Sequence, residues 1–254
     1  MKHSLKQLFL LLTLGITLTS CHSGYEEKND KIFYKWIRGG NWTRENTLLN
    51  EADAETFETI NNDINVHLGK DKNHVYEDAS ILEQADPKTF EQVKEYYWKD
   101  KNNVYLLQFG GTDCRIKNAE PNTFKVIKDY HWTIDRNNVY YQFDQLLNVN
   151  PNKFVAVDEE WGKDESFYYY HNFKVDSLDY KTAEIVSPYY IKDQYRVFFW
   201  DTIVKDANPK TFKADGVGSF GHDDKFMFNW ERNEGLITEE YRKTYIDNEK
   251  KNSR

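Results

Sequence analysis

The chain has 254 residues, 30% of them charged, and a formal net charge of −8. That balance excludes a non-specific nucleic-acid binder, which needs an excess of Lys and Arg to replace phosphate counterions. With 39% hydrophobic residues a folded core is within reach, and 16% aromatics beside only 12 Gly and 5 Pro favour strands over disorder.

Residues 1–6 carry Lys2 and Lys6 and no acid, and residues 8–18 form an apolar run too short to span a bilayer as a stable helix. Leu18-Thr19-Ser20-Cys21 follows. This order predicts a lipoprotein signal peptide over 1–20, with Cys21 as the acylated N-terminus of the mature chain. The protein is then expected in the bacterial cell envelope, held on a membrane by its N-terminal lipid, the outer membrane in a Gram-negative cell. Polar residues 21–29 read as a tether. With Cys21 committed to lipid, Cys114 has no intramolecular partner and reads as a small hydrophobe on a strand.

From residue 30 the chain repeats itself. Phe57, Phe90, Phe124, Phe154 and Phe212 recur at steps of 29 to 34 residues, with Ala183 in the fifth of six places. Asp53, Asp86, Glu120, Asn150, Asp179 or Asn208 stands four residues earlier, and Pro87, Pro121, Pro151 or Pro209 three earlier. An N-capping side chain, a proline at the first helical position and an apolar residue before the cap describe a short capped helical turn, stapled on the Phe. Its recurrent Asp is therefore structural. Leu49, Leu82, Ile116, Leu146, Val175 and Val204 mark a short strand that runs into the turn, and β-branched residues such as Val93 and Val126 open a strand after it.

Between these turns lies a second motif: Asp100-Lys101-Asn102-Asn103 and Asp135-Arg136-Asn137-Asn138, each followed by Val-Tyr. Asp at the start and Asn where a positive φ is expected predict a tight hairpin turn. Weaker copies begin at Asp71, Asp164, Asp193 and Asp223, and Asp30-Lys31 reads as a seventh and first copy. The D-K-N-x-V-Y-Y signature, together with the A-D-P-K-T-F turn, resembles the DKNYY family of bacterial proteins. The resemblance covers about residues 30–235, implies a repeat architecture and assigns no activity.

Units of about 30 residues leave room for three short strands, and one unit cannot bury both faces of its aromatics. The fold is expected to be mainly β: about seven hairpin repeats over 30–237, stacked as an open solenoid-like array, with propeller-like closure as the alternative. Residues 238–254 read as a C-terminal helix and tail.

No catalytic signature is found: P-loop, GxSxG and HExxH are all missing. His67, His74, His131, His171 and His222 lack metal spacing and read as solvated or packing residues, so neither metal nor cofactor is expected. The turn aspartates carry oxygens suited to Ca²⁺, but Lys alternates with them and opposes a cation. Trp98, Trp132, Trp161 and Trp200 recur unit by unit and are the candidate binding residues for a glycan or protein partner. The expected role is a non-catalytic binding module; the alternative is an enzyme acting on envelope polymers from a site between repeats.

Overall fold

The computed structural model describes residues 23–38, 43–62, 64, 66–108, 113–215 and 218–247. The expected signal peptide over 1–20, the expected acylation site Cys21 and the tail from 248 lie outside them. Seven small antiparallel sheets follow one another along the chain. The fourth shows the plan: Lys125–Lys128, Trp132–Ile134, Val139–Tyr141 and Asp144–Leu146 form a meander of four strands in sequence order. Five units have four strands. Expecting three strands undercounts them, because the last strand is often only two residues, as at Phe173–Lys174 and Thr202–Ile203. The first unit pairs Gly24–Glu27, Ile32–Arg38 and Thr43–Leu48. Half of the expected tether is therefore strand. In the third unit, which pairs Glu91–Lys94, Tyr97–Lys99 and Val104–Leu106, the fourth strand is reduced to one bridge between Tyr105 and Arg115.

The third strand is buried along its length at Val75–Glu77, Val104–Leu106, Val139–Tyr141 and Val197–Phe199. Each of these strands is covered on both faces, which a lone sheet of this size could not achieve. Neighbouring units supply the cover. Leu82 of the second unit packs with Phe90 of the third, and Leu106 of the third with Phe124 of the fourth. Likewise Leu146 packs with Phe154, Tyr170 with Ile191, Val204 with Phe212, and at the start Tyr34 with Tyr76. Six hydrophobic clusters thus fill the six seams between seven consecutive units. Among the described residues none joins the seventh unit to the first, so the array is open.

Hydrogen bonds rivet the same seams. The first residue of the second strand reaches across to a carbonyl in the next unit's first turn: Tyr97 to Tyr130, Trp132 to Asp158, Trp161 to Pro188 and Tyr190 to Ser219; in the first unit Tyr25, from the first strand, reaches the His67 carbonyl in the same way. In the second unit the position is Leu68, which has no donor and is buried without one.

The Phe turn is a single turn rather than a helix, closed by bonds such as Thr89 N–H to the Asp86 carbonyl at 3.2 Å. Its capping logic holds: Asp86 Oδ1 accepts from the N–H groups of Lys88 and Thr89. At the C-terminus Thr238 caps a short helix, Glu239–Tyr241, that continues as Arg242–Ile246. Tyr241 is buried and donates to the Gly221 carbonyl at 3.0 Å, closing the end of the seventh unit. No helix among the described residues is long and apolar enough to cross a membrane.

Candidate functional site

Each sheet has two ends, and they differ in chemistry. One end gathers the Asp turns and the Phe turns. Asp135 is 3% exposed; its Oδ1 accepts from the N–H groups of Asn137 and Asn138, and its Oδ2 from the Tyr140 hydroxyl and the Glu120 N–H. Asp71 and Asp100 repeat this set with Tyr76 and Asp53, and with Tyr105 and Asp86. Burial works to raise the Asp71 and Asp135 carboxyls, yet the hydrogen bonds together outweigh it and hold both below the usual range. A carboxylate so fully engaged has little left for Ca²⁺.

The remaining motif letters tie the two turns together. The Thr before the Phe accepts from the N–H after the turn Asp, as between Thr89 and Lys101 and between Thr123 and Arg136. Lys72 and Lys101 pair with the capping Asp53 and Asp86 at 2.5 Å. Where the motif degrades, the pairing survives in altered form: Lys153 replaces Thr, Glu165 replaces Lys, and the two meet at 2.8 Å. The expected positive φ at the turn asparagines is not found. It lies in other turns, at Asp78, Gln84, Gln142, His171, Trp200 and Trp230, because the Asp side chain, not an αL residue, closes the Asp turn. Asp30 is a different case. It and Asn29 both have positive φ and form the primed two-residue turn of a plain hairpin.

The opposite end carries an aromatic rim. Its rings touch in series: Tyr96 to Tyr130 at 5.9 Å, Tyr130 to His131 at 3.9 Å, His131 to Tyr141 at 5.7 Å and Tyr141 to His171 at 4.1 Å. The row continues from His171 to Tyr170 at 4.0 Å, to Trp200 at 5.2 Å, to Phe199 at 4.8 Å and to Trp230 at 5.9 Å. It crosses the third to seventh units. Its outer members are open to solvent: Trp230 is 52% exposed, while Tyr96, Tyr130, His171 and Trp200 are half-buried. His171, Trp200 and Trp230 adopt φ of 52°, 57° and 60°. That is costly for a bulky side chain and an outlier of the kind found at binding sites.

Only one of the four expected tryptophans lies on this rim. Trp98, Trp132 and Trp161 are 3%, 0% and 0% exposed. Trp132 and Trp161 are spent on the seams, and Trp98 stacks on Phe90 at 5.1 Å. A ring sealed between units cannot offer a face to a partner, so these three are corrected to packing residues. Trp200 remains, and the rim adds Tyr96, Tyr130, His171 and Trp230. The signal that could have found them is an aromatic side chain in a hairpin turn, where Gly or Asn is the usual occupant.

An acidic and imidazole cluster sits mid-rim. Glu160 Oε2 meets His171 Nε2 in a very short contact and accepts from the Tyr141 hydroxyl at 3.2 Å. The bond from His171, against the opposing effect of burial, holds the Glu160 carboxyl below its ordinary range. Beside it a cleft of about 520 Å³ is lined by Lys128, Asp158, Glu159, Glu160, Ser187 and Pro188. Away from the rim, Cys114 is 3% exposed, and burial foremost, with the Glu77 charge, pushes its thiol up to about 12; it is a buried packing residue as expected, but it lies outside any strand.

No curated protein and no solved structure matches the chain. The profile of the DKNYY family matches residues 3–109 and 97–231. The Asp turn and its Tyr, the two parts of the signature that meet in the buried network, stand in the stretches so matched. The chain belongs to the DKNYY family.

Proposed function

We propose that this protein is a non-catalytic, lipid-anchored module of the bacterial cell envelope that binds an extended partner, a glycan strand, along its aromatic rim. The observation that carries the reading is the division of labour between the two ends of the sheets. At one end the polar side chains are consumed by the fold. At the other, rings from five consecutive units form a row with its outer members open, three of them in strained backbone. A row repeated along an open array suits a polymer better than a compact ligand. The ordered charge, apolar run and Cys21 support the lipid anchor. A second reading, chemistry on envelope polymers between repeats, draws on the unrepeated cluster of His131, Glu160 and His171.

The test is co-sedimentation of the full chain, in detergent micelles, with purified cell-wall glycan. Retention that falls about tenfold in Trp230→Ala and in Tyr130→Ala, with unchanged unfolding midpoints, supports the rim. Retention equal to wild type in both variants, or no retention at all, rejects it.

A further inference from the structure

We propose that His131, Glu159 and Glu160 form a binding site for one divalent transition-metal ion of the Zn²⁺ class, at the seam between the fourth and fifth units. A ring nitrogen of His131 and one carboxylate oxygen from each glutamate lie within 4.8 Å of one another. Around a tetrahedral ion with bonds near 2.0–2.2 Å, ligand atoms stand roughly 3.4 Å apart. The gap closes with a small side-chain rotation, and Glu159 is exposed and free to make it.

The second observation is independent of the acids. His131 is 6% exposed, and its Nδ1 is buried with no hydrogen-bond partner. A buried imidazole nitrogen left unmatched is costly, and the ordinary remedies are a donor, a water or a metal. The ring itself is fixed, packed between Tyr130 and Tyr141. Pre-set orientation of this kind is what a ligating histidine needs.

Glu160 is prepared in the same way. His171 and Tyr141 both hold its Oε2, which leaves Oε1 to turn toward the cluster. His171 is thus a positioning residue. The loop is held in turn by Asp158, whose Oδ1 accepts from the N–H groups of Glu160 and Trp161 at 2.9 and 2.7 Å. One imidazole and two carboxylates suit Zn²⁺ and its transition-metal neighbours. Hard cations that prefer all-oxygen shells fit poorly. Three protein ligands leave one position of a tetrahedral ion open, and Glu159 and Glu160 also line the cleft.

Zn²⁺ titration of the chelator-treated full chain in detergent micelles, by calorimetry and by melting midpoint, tests the site. The expected result is one saturable site per chain, a raised midpoint, and no displacement by millimolar Mg²⁺ or Ca²⁺. Glu159→Gln, at an exposed position, should keep the fold and weaken Zn²⁺ at least tenfold; His131→Gln should abolish binding. The absence of saturable Zn²⁺ binding overturns the proposal. So does wild-type affinity in Glu159→Gln, which would put the ion elsewhere.

Discussion

Tyr140 donates its phenolic hydrogen to Oδ2 of Asp135 across 2.7 Å, and both residues are buried. The pair explains why the signature couples an Asp to a Tyr five positions on. Tyr140→Phe should cost about 1.5–3 kcal/mol, the range for a hydrogen bond to a charged group. Asp135→Ala also strands the N–H groups of Glu120, Asn137 and Asn138 and should cost about 3–5 kcal/mol. The double variant should lose less than the sum. Urea unfolding of the three checks this, and strict additivity would reject a shared network. Phe198 and Phe228 hold the Tyr position in the last two units, so losses there should come only from the aspartates.

Stability should fall on both sides of neutrality. The folded Asp71 and Asp135 carboxyls lie below their unfolded range. Their contribution is present above about pH 4 and is lost as pH drops through the folded values. Burial foremost, with hydrogen bonding to the turn aspartates, raises the Tyr76 and Tyr140 hydroxyls. Their contribution is present below about pH 10 and is lost as pH climbs past it. Urea midpoints from pH 2 to 11 should therefore show a plateau with two falling limbs; a flat acid limb would contradict the network.

Glu77 tilts that plateau. Burial first, then the Asp78 charge, pushes its carboxyl up to about 7. A raised carboxyl favours the protonated form, so its stabilising contribution is full below the unfolded value near 4.5 and disappears as pH rises through 7. Glu77→Gln mimics the protonated state. It should raise the midpoint at pH 8 and leave it nearly unchanged at pH 4. An equal effect at both pH values would show that Glu77 is ionised throughout.

The repeat, its period and the capped turn were legible in the sequence because each rests on contacts within a few residues. Asp86 and Thr89 sit three apart, and turn chemistry alone relates them. The tryptophans were misread because exposure is settled by stacking. Trp132 and Trp161 look identical to Trp200 in composition, yet their N–H groups find carbonyls 26 and 27 residues away. The rim was hidden for the same reason. Its members come from different turn positions, Tyr130 from a first turn and Trp230 from a last one, and meet only when units are superposed. The cluster of His131 with Glu160 joins residues 29 apart that occupy equivalent places in adjacent units, a spacing no linear metal motif describes.

Anchoring is open to a direct test. Cys21→Ser removes the only thiol available to an acyl chain at the end of the signal-like segment. The variant should leave the membrane fraction and lose detergent-phase partitioning, since one marginal hydrophobic segment does not replace stable lipid anchoring. Unchanged partitioning would reject the lipid anchor.

The last prediction concerns volume traded between two positions of one unit. A Cβ on Gly162 would lie 2.2 Å from Phe154 Cζ; on Gly69, 2.4 Å from Phe57 Cζ; on Gly221, 2.6 Å from Phe212 Cζ. In these units the missing side chain makes room for the ring of the Phe turn. The sixth unit inverts the arrangement: Ala183 stands for the Phe, and Ile191, wholly buried, fills the space from the strand. Ala183→Phe alone should overpack the seam and cost about 1–3 kcal/mol. Ile191→Gly alone should open a cavity and cost about 3–5 kcal/mol or more. Combined, the two substitutions reproduce the plan of the fifth unit, and the ring should occupy the space the isoleucine leaves. The double variant should therefore be more stable than Ile191→Gly by about 2 kcal/mol, read as a rise in the urea midpoint. If the losses simply add, the sixth unit's backbone is not equivalent to its neighbours', and the absent Phe reflects a different turn rather than an exchange of volume.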